Sequence, residues 1–317
     1  MSTSLIQAIR VHHYGGPEQL KLEQIARPEP QADEVLVRVY AAGVAPADWK
    51  TRQGLLKDLR PMQLPYIPGS ALAGIVEEVG PGVTAWKIGQ AVFGQSAKGT
   101  YTEYTTASVA TLALKPETLS FDEAATLAGG ATTAWQGLFE YGSLQTGQQV
   151  LIRGAAGGVG SFAVQFARWK GAHVIGTTSP ANCDFVRSLG AETVIDYTST
   201  PLEQVVHDID LVLDTVGGET HERPWNVLKR GGTLISITGP LSQEKAQELG
   251  VRGVAFSNRP SAQLLQSLAR LIAEEHINVV LRRVFPLHEV RQAHELSQTG
   301  HGRGRIVLHI ADEPSRG

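Results

Sequence analysis

The 317-residue chain is predicted to be an α/β protein with a β-rich domain and a second domain built on a doubly wound parallel sheet. Three observations predict this. The length exceeds that of the usual single domain. The first 120 or so residues alternate short apolar runs with Gly and Pro punctuation. Beyond Phe121, strand-like and helix-like segments alternate, as in a parallel sheet with helices on both faces.

In chain order, residues 34–40 (EVLVRVY), 73–79 (AGIVEEV) and 90–93 read as short strands separated by turns. Residues 121–142 (FDEAATLAGGATTAWQGLFEYG) read as helical. QVLIR, a helix from Ser161, HVIGT, a helix from Ala181, TVID, DLVLD, a helix near Trp225 and GTLISIT then follow. The helix after Gly160 places Phe162, Phe166 and Trp169 at i, i+4 and i+7, so one face packs on the sheet. Ser179 and Pro180 suit the N-cap and first turn of the next helix. After residue 260 a helix (SAQLLQSLARLIAEE) leads to VVLRRVFPL and RIVLHI, a return to strand pattern and to the first domain. The expected domains are therefore 1–123 with 261–317, and 124–260.

A net charge of -3 gives no general attraction for nucleic acid or an anionic membrane, which directs the search to small-molecule chemistry. No apolar run reaches the roughly 18 residues that span a bilayer, and MSTSLIQAIRVHH lacks the apolar core of a secretory signal, so a cytoplasmic location is expected. The single cysteine, Cys183, forms neither an intrachain disulfide nor a Cys-rich zinc cluster.

The sharpest motif is GAAGGVG at 154–160, directly after QVLIR and directly before the amphipathic helix. As a variant dinucleotide fingerprint it puts Ala155 at the first glycine position, Gly157 at the second and Gly160 at the third. Missing side chains admit the diphosphate, and Ala156, Gly157, Gly158 and Val159 offer backbone N–H groups at the helix start. Twenty residues on, where an NAD site carries a carboxylate, stand Thr177, Thr178 and Ser179. Hydroxyls donate to the 2′-phosphate of NADPH, whereas a carboxylate repels it, so NADPH is the expected cofactor. No Lys or Arg adjoins these hydroxyls; Arg187, two turns into the helix, is either a distant helper or a solvated surface charge.

With these motifs in hand, the sequence resembles the zinc-independent quinone oxidoreductase and enone (alkenal) reductase branch of the medium-chain dehydrogenase/reductase superfamily. The resemblance runs in order through AAGVAPADWKTRQG, YIPGSALAGIVEEVGPGV, QAVFG, GTYTEYTTA, AATLAGGATTAW, GAAGGVG, LGAETVIDY, LDTVGG, ITGP and GHGRGRIVL. It implies a GroES-like catalytic domain, a Rossmann-type domain inserted before its last segment, a cleft between them and a homodimer. It also implies that Thr133 lies near the nicotinamide carboxamide, and that Ser179, Asn182 and Tyr197 surround the adenosine 2′-phosphate. Val216, Gly217, Thr238 and Gly239 line the rest of the cofactor, with Val216 the one of these most readily read as core. Asp48-Trp49-Lys50 resembles the D-x-K pattern of the enone reductases, which makes Lys50 the group that reaches cofactor and substrate oxygen. Tyr66 either lines the substrate pocket, donates a proton or simply packs. Ala45 stands where the family has Asn, and Arg305 where it has Lys, leaving Arg305 a weak cofactor candidate.

Zinc chemistry is not expected. The segments that hold Cys and Gly-His-Glu in the zinc branch read VAPADW and PGSALAG, and His12, His13, His301 and His309 are isolated. The function implied is direct hydride transfer from NADPH to a quinone, enal or enone. Two alternatives are an enoyl-thioester reductase, for which no basic entrance cluster is visible, and an NADPH-binding regulatory protein with little turnover.

Overall fold

The computed structural model describes residues 4–275 and 277–312, with the side chains of 219–222 left aside. β1 (Leu5–Arg10) and β2 (Lys21–Ala26) make an antiparallel hairpin outside the strands read from sequence. β3 (Glu34–Val44) then runs into α1 (Pro46–Arg52), and β4 (Ala71–Val79), β5 (Ala91–Gln95), β6 (Tyr104–Ser108) and β7 (Leu112–Leu114) follow. They form an antiparallel sheet, β3 pairing with both β4 and β6.

The stretch 121–142 is not one helix. α2 (Phe121–Ala124) and α3 (Gly130–Trp135) are short, and a π-type turn, Gln136–Tyr141, completes the segment. Gly129 and Gly130 divide it: a Cβ on Gly130 would lie 2.7 Å from the Gly158 carbonyl oxygen, and one on Gly129 would lie 2.9 Å from Nη2 of the Arg305 side chain.

The second sheet is parallel and follows the alternation read from the sequence. Its elements are β8 (Gln149–Arg153), α4 (Gly160–Trp169), β9 (His173–Thr178), α5 (Cys183–Ser188), β10 (Thr193–Asp196), β11 (Ile209–Asp214), β12 (Leu228–Ser236), α6 (Gln243–Leu249) and β13 (Arg252–Ala255). A 3-10 segment, Gly218–Val227, replaces the helix expected near Trp225. The strand order β10-β9-β8-β11-β12-β13 reverses direction at β8, and the crevice beyond the carboxyl ends of β8 and β11 is where such sheets bind ligands. Strand alternation sorts the apolar side chains: Val150 and Ile152 join Phe162 and Phe166 of α4 in one cluster, while Leu151 joins Val212 and Trp225 on the opposite face. Each fully buried phenylalanine contributes about 1.5–3 kcal/mol to holding helix on sheet. Trp169, expected on the same face, is 42% exposed and packs on Trp135 instead, at the C-terminal end of α4.

α7 (Ala262–Glu274) adds Leu265, Leu268 and Ile272 to the α4 cluster. β14 (Leu281–Pro286), α8 (Val290–Gln298) and β15 (Arg305–His309) follow. β15 pairs antiparallel with β3, so the C-terminal strands complete the first sheet. Gly157 and Gly304 form an isolated parallel bridge, and the Gly304 N–H donates to the Ala156 carbonyl at 2.8 Å. The chain thus fastens its returning segment onto the glycine turn just before β15 begins.

Candidate active site

At the end of β8 the backbone turns through Gly154, φ +71, a left-handed conformation that L side chains rarely adopt. The Gly154 and Ala155 N–H groups donate to Oγ1 and the carbonyl of Thr177 at 3.4 and 3.0 Å, which ties the turn to the end of β9. A Cβ on Gly160 would sit 2.2 Å from the Gly154 oxygen, so the first turn of α4 packs directly on the strand. The left-handed residue is therefore Gly154, one position before the fingerprint's first site, and this is why alanine is accommodated at 155.

β11 and β12 supply one wall. The buried Asp214 carboxylate accepts from the N–H groups of Val216 and Gly217 at 3.0 and 3.2 Å and pairs with Arg153 at 2.9 Å. Val216 is 53% exposed, and its Cγ2 lies 3.1 Å from where a Cβ on Gly154 would stand, so it overhangs the turn and is not core. A Cβ on Gly217 would meet the Thr238 hydroxyl at 2.4 Å, bringing those two predicted residues together. The Gly239 carbonyl accepts from the Ser236 hydroxyl at 2.9 Å.

At the Ser179 end, Thr178 is buried and its carbonyl accepts from the Tyr197 N–H at 3.3 Å. Ser179 precedes Pro180 in extended conformation, as expected of an N-cap, but its side chain caps nothing; its Oγ accepts from Asn182 Nδ2 at 3.0 Å. Tyr197 is half exposed beside it. Arg187 is exposed and paired with Asp184 at 2.8 Å, which resolves it as a surface charge. A residue missed in the sequence reaches this end from the other sheet's segment: Arg303 Nε donates to Asn182 Oδ1 at 2.8 Å and Nη2 to the Ala181 carbonyl at 2.6 Å.

The opposite end is buried. Arg305 is 6% exposed, and its Nε and Nη2 have no hydrogen-bond partner. Its side chain runs past Gly158, where a Cβ would stand 2.3 Å from Arg305 Cδ, and reaches Gly129, where a Cβ would stand 2.9 Å from Nη2. Asp48, the first acid of α1, accepts from the Ala45 N–H at 2.8 Å and from the Tyr101 hydroxyl at 2.9 Å. Burial raises the Asp48 carboxyl, opposed by the Ala45 N–H, Tyr101 and Arg305; burial lowers the Arg305 guanidinium, opposed by Asp48. Tyr66 is buried with an unpartnered hydroxyl, its phenol pushed up by burial and by Asp48. Thr133 spends its hydroxyl on the Gly129 carbonyl at 2.6 Å. Lys50, partly buried on α1, holds Nζ 5.6 Å from the Trp49 ring centre.

Sequence reading also missed Tyr101 and the buried pair Arg52 and His294, which no local motif marks. The cited histidines are partnered more than expected: His12 meets Glu23 at 2.7 Å and His309 meets Asp122 at 3.1 Å, because each lies where two strands or a strand and α2 converge. Among the described residues, no group of three or more His, Cys, Asp or Glu could hold a metal ion. No helix there is long and apolar enough to cross a membrane. A hollow of about 400 Å³ lined by Arg27, Arg38, Glu77, Glu103 and Tyr104 shares no residue with this groove.

A glycine turn at the switch point of a parallel sheet, faced by a GroES-like sheet with a buried cation, defines a pyridine-nucleotide-dependent oxidoreductase. Residues 31–119 match the alcohol dehydrogenase GroES-like domain, and residues 189–308 match the family described as zinc-binding dehydrogenase. The chain is 34% identical to mouse quinone oxidoreductase over 325 residues, covering 96% of this chain and 98% of the relative. It is 34% identical over 310 residues to the chloroplastic NADPH-dependent alkenal/one oxidoreductase of Arabidopsis thaliana, covering 93% and 77%. The solved quinone oxidoreductase of Coxiella burnetii superposes with a TM-score of 0.91 at 34% identity, covering 97% of this chain and all 100% of that one. The chain belongs to the quinone and enone reductase branch of the medium-chain dehydrogenase/reductase superfamily.

Proposed function

We propose that this protein reduces quinones or the β-carbon of enals and enones with NADPH, without zinc. The observation that carries the reading is Arg305: two buried guanidinium nitrogens without acceptors, flanking a turn whose Gly157, Gly158 and Gly160 keep backbone bare. An unsatisfied buried donor costs on the order of 1–3 kcal/mol, more when charged, and an anionic dinucleotide supplies the missing acceptors. Ala156 to Val159 would hold the diphosphate, Thr133 would sit beside the carboxamide, and Val216, Gly217, Thr238 and Gly239 would form the wall. Thr178, Ser179, Asn182 and Tyr197 would receive the adenosine end. Bound there, NADPH supplies the hydride.

Lys50 donates to the acceptor's oxygen and stabilises the enolate-like charge that grows there, while Tyr66 lines the pocket. A phenol held so far above its usual range stays protonated and keeps its hydrogen-bond donor. The relatives named for quinone and alkenal/one reduction support this substrate class. The reading takes no zinc, because the segments that hold Cys and Gly-His-Glu in the zinc branch read VAPADW and PGSALAG here. A homodimer and a cytoplasmic location accompany the reading, and its partner is a small molecule.

The test is NADPH consumption against a naphthoquinone, a short 2-alkenal, an enone and a crotonyl thioester, with Lys50→Ala in parallel. Quinone, enal or enone turnover is expected, with kcat for Lys50→Ala down about 10²–10³-fold, as for loss of an oxyanion donor. Tight NADPH binding without turnover of any acceptor would overturn the reading.

A further inference from the structure

We infer that Arg303, delivered from the C-terminal segment of the GroES-like sheet, is the cation that selects the 2′-phosphate of NADPH. The inference rests on the NADPH reading above and supplies what the local sequence lacks, since Arg187 is spent on Asp184. Arg303 is 121 residues from Asn182 in the chain, yet its Nε donates to Asn182 Oδ1 at 2.8 Å, and its Nη2 donates to the Ala181 carbonyl at 2.6 Å. Its guanidinium carbon lies 5.1 Å above the Phe185 ring centre. Asn182 in turn donates to the Ser179 hydroxyl at 3.0 Å, so one hydrogen-bonded chain joins Arg303 to Ser179.

The route of the backbone explains the placement. Gly304, φ +67, is bonded to Ala156 and bridges Gly157, and the arginines on either side of it reach opposite ends of the groove. Arg305 is buried beside Gly158; Arg303 is exposed beside Asn182. The negative charges nearby are otherwise engaged. Asp184 pairs with Arg187, and Asp196 accepts from the Thr198 backbone and from the hydroxyls of Thr198 and Ser199. No ion pair to Arg303 occurs among the described residues, and its Nη1 takes no protein acceptor. A guanidinium fixed through two of its nitrogens, with the third free, is pre-organised for a phosphate dianion.

The experiment compares the wild-type protein with Arg303→Ala and Arg303→Lys. It measures kcat/KM for NADPH and NADH with one quinone, and the dissociation constants of 2′,5′-ADP and 5′-AMP. The wild type is expected to favour NADPH and 2′,5′-ADP, and Arg303→Ala to lower both selectivity ratios about ten- to a hundredfold. Arg303→Lys, which keeps the charge but loses the fork, should fall between. Parallel losses for both members of each pair, with the ratios unchanged, would make Arg303 a structural tie and overturn the inference while leaving the NADPH reading intact. A wild type without preference for NADPH or 2′,5′-ADP would overturn both.

Discussion

The two ends of the groove are built from the same three-residue stretch, 303–305, yet they differ in the medium surrounding their charge. At the Ser179 end, Arg303 and Tyr197 are open to water, and charge–charge interactions there are screened by salt and solvent. At the α1 end, Asp48, Tyr101, Tyr66 and Arg305 are buried, and the guanidinium nitrogens Nε and Nη2 of Arg305 lack acceptors. Desolvation dominates at the second end, where burial raises the Asp48 carboxyl and lowers the Arg305 guanidinium. An exposed cation can therefore choose between two ligands that differ by one phosphate, while a buried one makes the occupied state of the groove more favourable whichever ligand fills it.

The bluntest way to break this comparison removes both ends together. Gly160→Ala sets a Cβ 2.2 Å from the Gly154 oxygen and 2.8 Å from Ala155 Cα, both backbone atoms that cannot rotate away. Overpacking of this kind costs about 1–3 kcal/mol and here deforms the turn itself, so binding of NADPH and NADH should be lost together while far-ultraviolet circular dichroism stays near native. Retained binding of either would show that the turn is not the cofactor's cradle.

Arg305→Met sharpens the contrast. It removes a buried cation with unmet donors and keeps most of the side-chain volume, so the melting temperature without cofactor should hold or rise. Affinity for NADPH and NADH should fall equally, by about 2 kcal/mol or roughly thirtyfold, because the lost charge-assisted bonds serve the part both cofactors share. A selective loss of NADPH would place the 2′-phosphate discrimination at the wrong arginine.

The contrast also explains what could be read from the sequence. The parallel sheet and the glycine turn were legible because strand alternation, α4's periodicity and bare backbone are local properties of residues 149–169. The returning strand β15 was legible for the same reason. The split of 121–142 at Gly129 was not, since both glycines answer to partners distant in sequence: Gly158 and Arg305. Ser179 and Asn182 were named from the family resemblance, but the contact Arg303 makes with Asn182 was not legible, because it spans 121 residues and depends on one left-handed glycine. Val216, readable as core by composition, lies exposed over the glycine turn, its Cγ2 beside Gly154.

The smallest effect concerns the buried end's support. Arg52, itself fully buried, donates from Nη1 to the Gly15 carbonyl at 2.8 Å and directs Nε to His294 Nδ1 at 3.4 Å. His294 meets the Tyr101 ring edge-on at 5.8 Å, and Tyr101 holds Asp48. Burial first, then the Arg52 charge, depresses His294 to about 3. The folded protein thus keeps the imidazole neutral where the unfolded chain, near 6.5, takes up a proton. Protons favour the unfolded state, so stability is full above pH 7 and declines as pH falls through 6.5 towards 3. Between pH 7 and 5.5 this one group should remove about 1 kcal/mol. His294→Asn offers Arg52 an amide oxygen that does not titrate in this range, so urea unfolding of that variant should show a shallower loss across the same interval, by about that amount. Equal losses in the two proteins would mean that His294 already carries its proton in the fold, or that the acid sensitivity lies elsewhere.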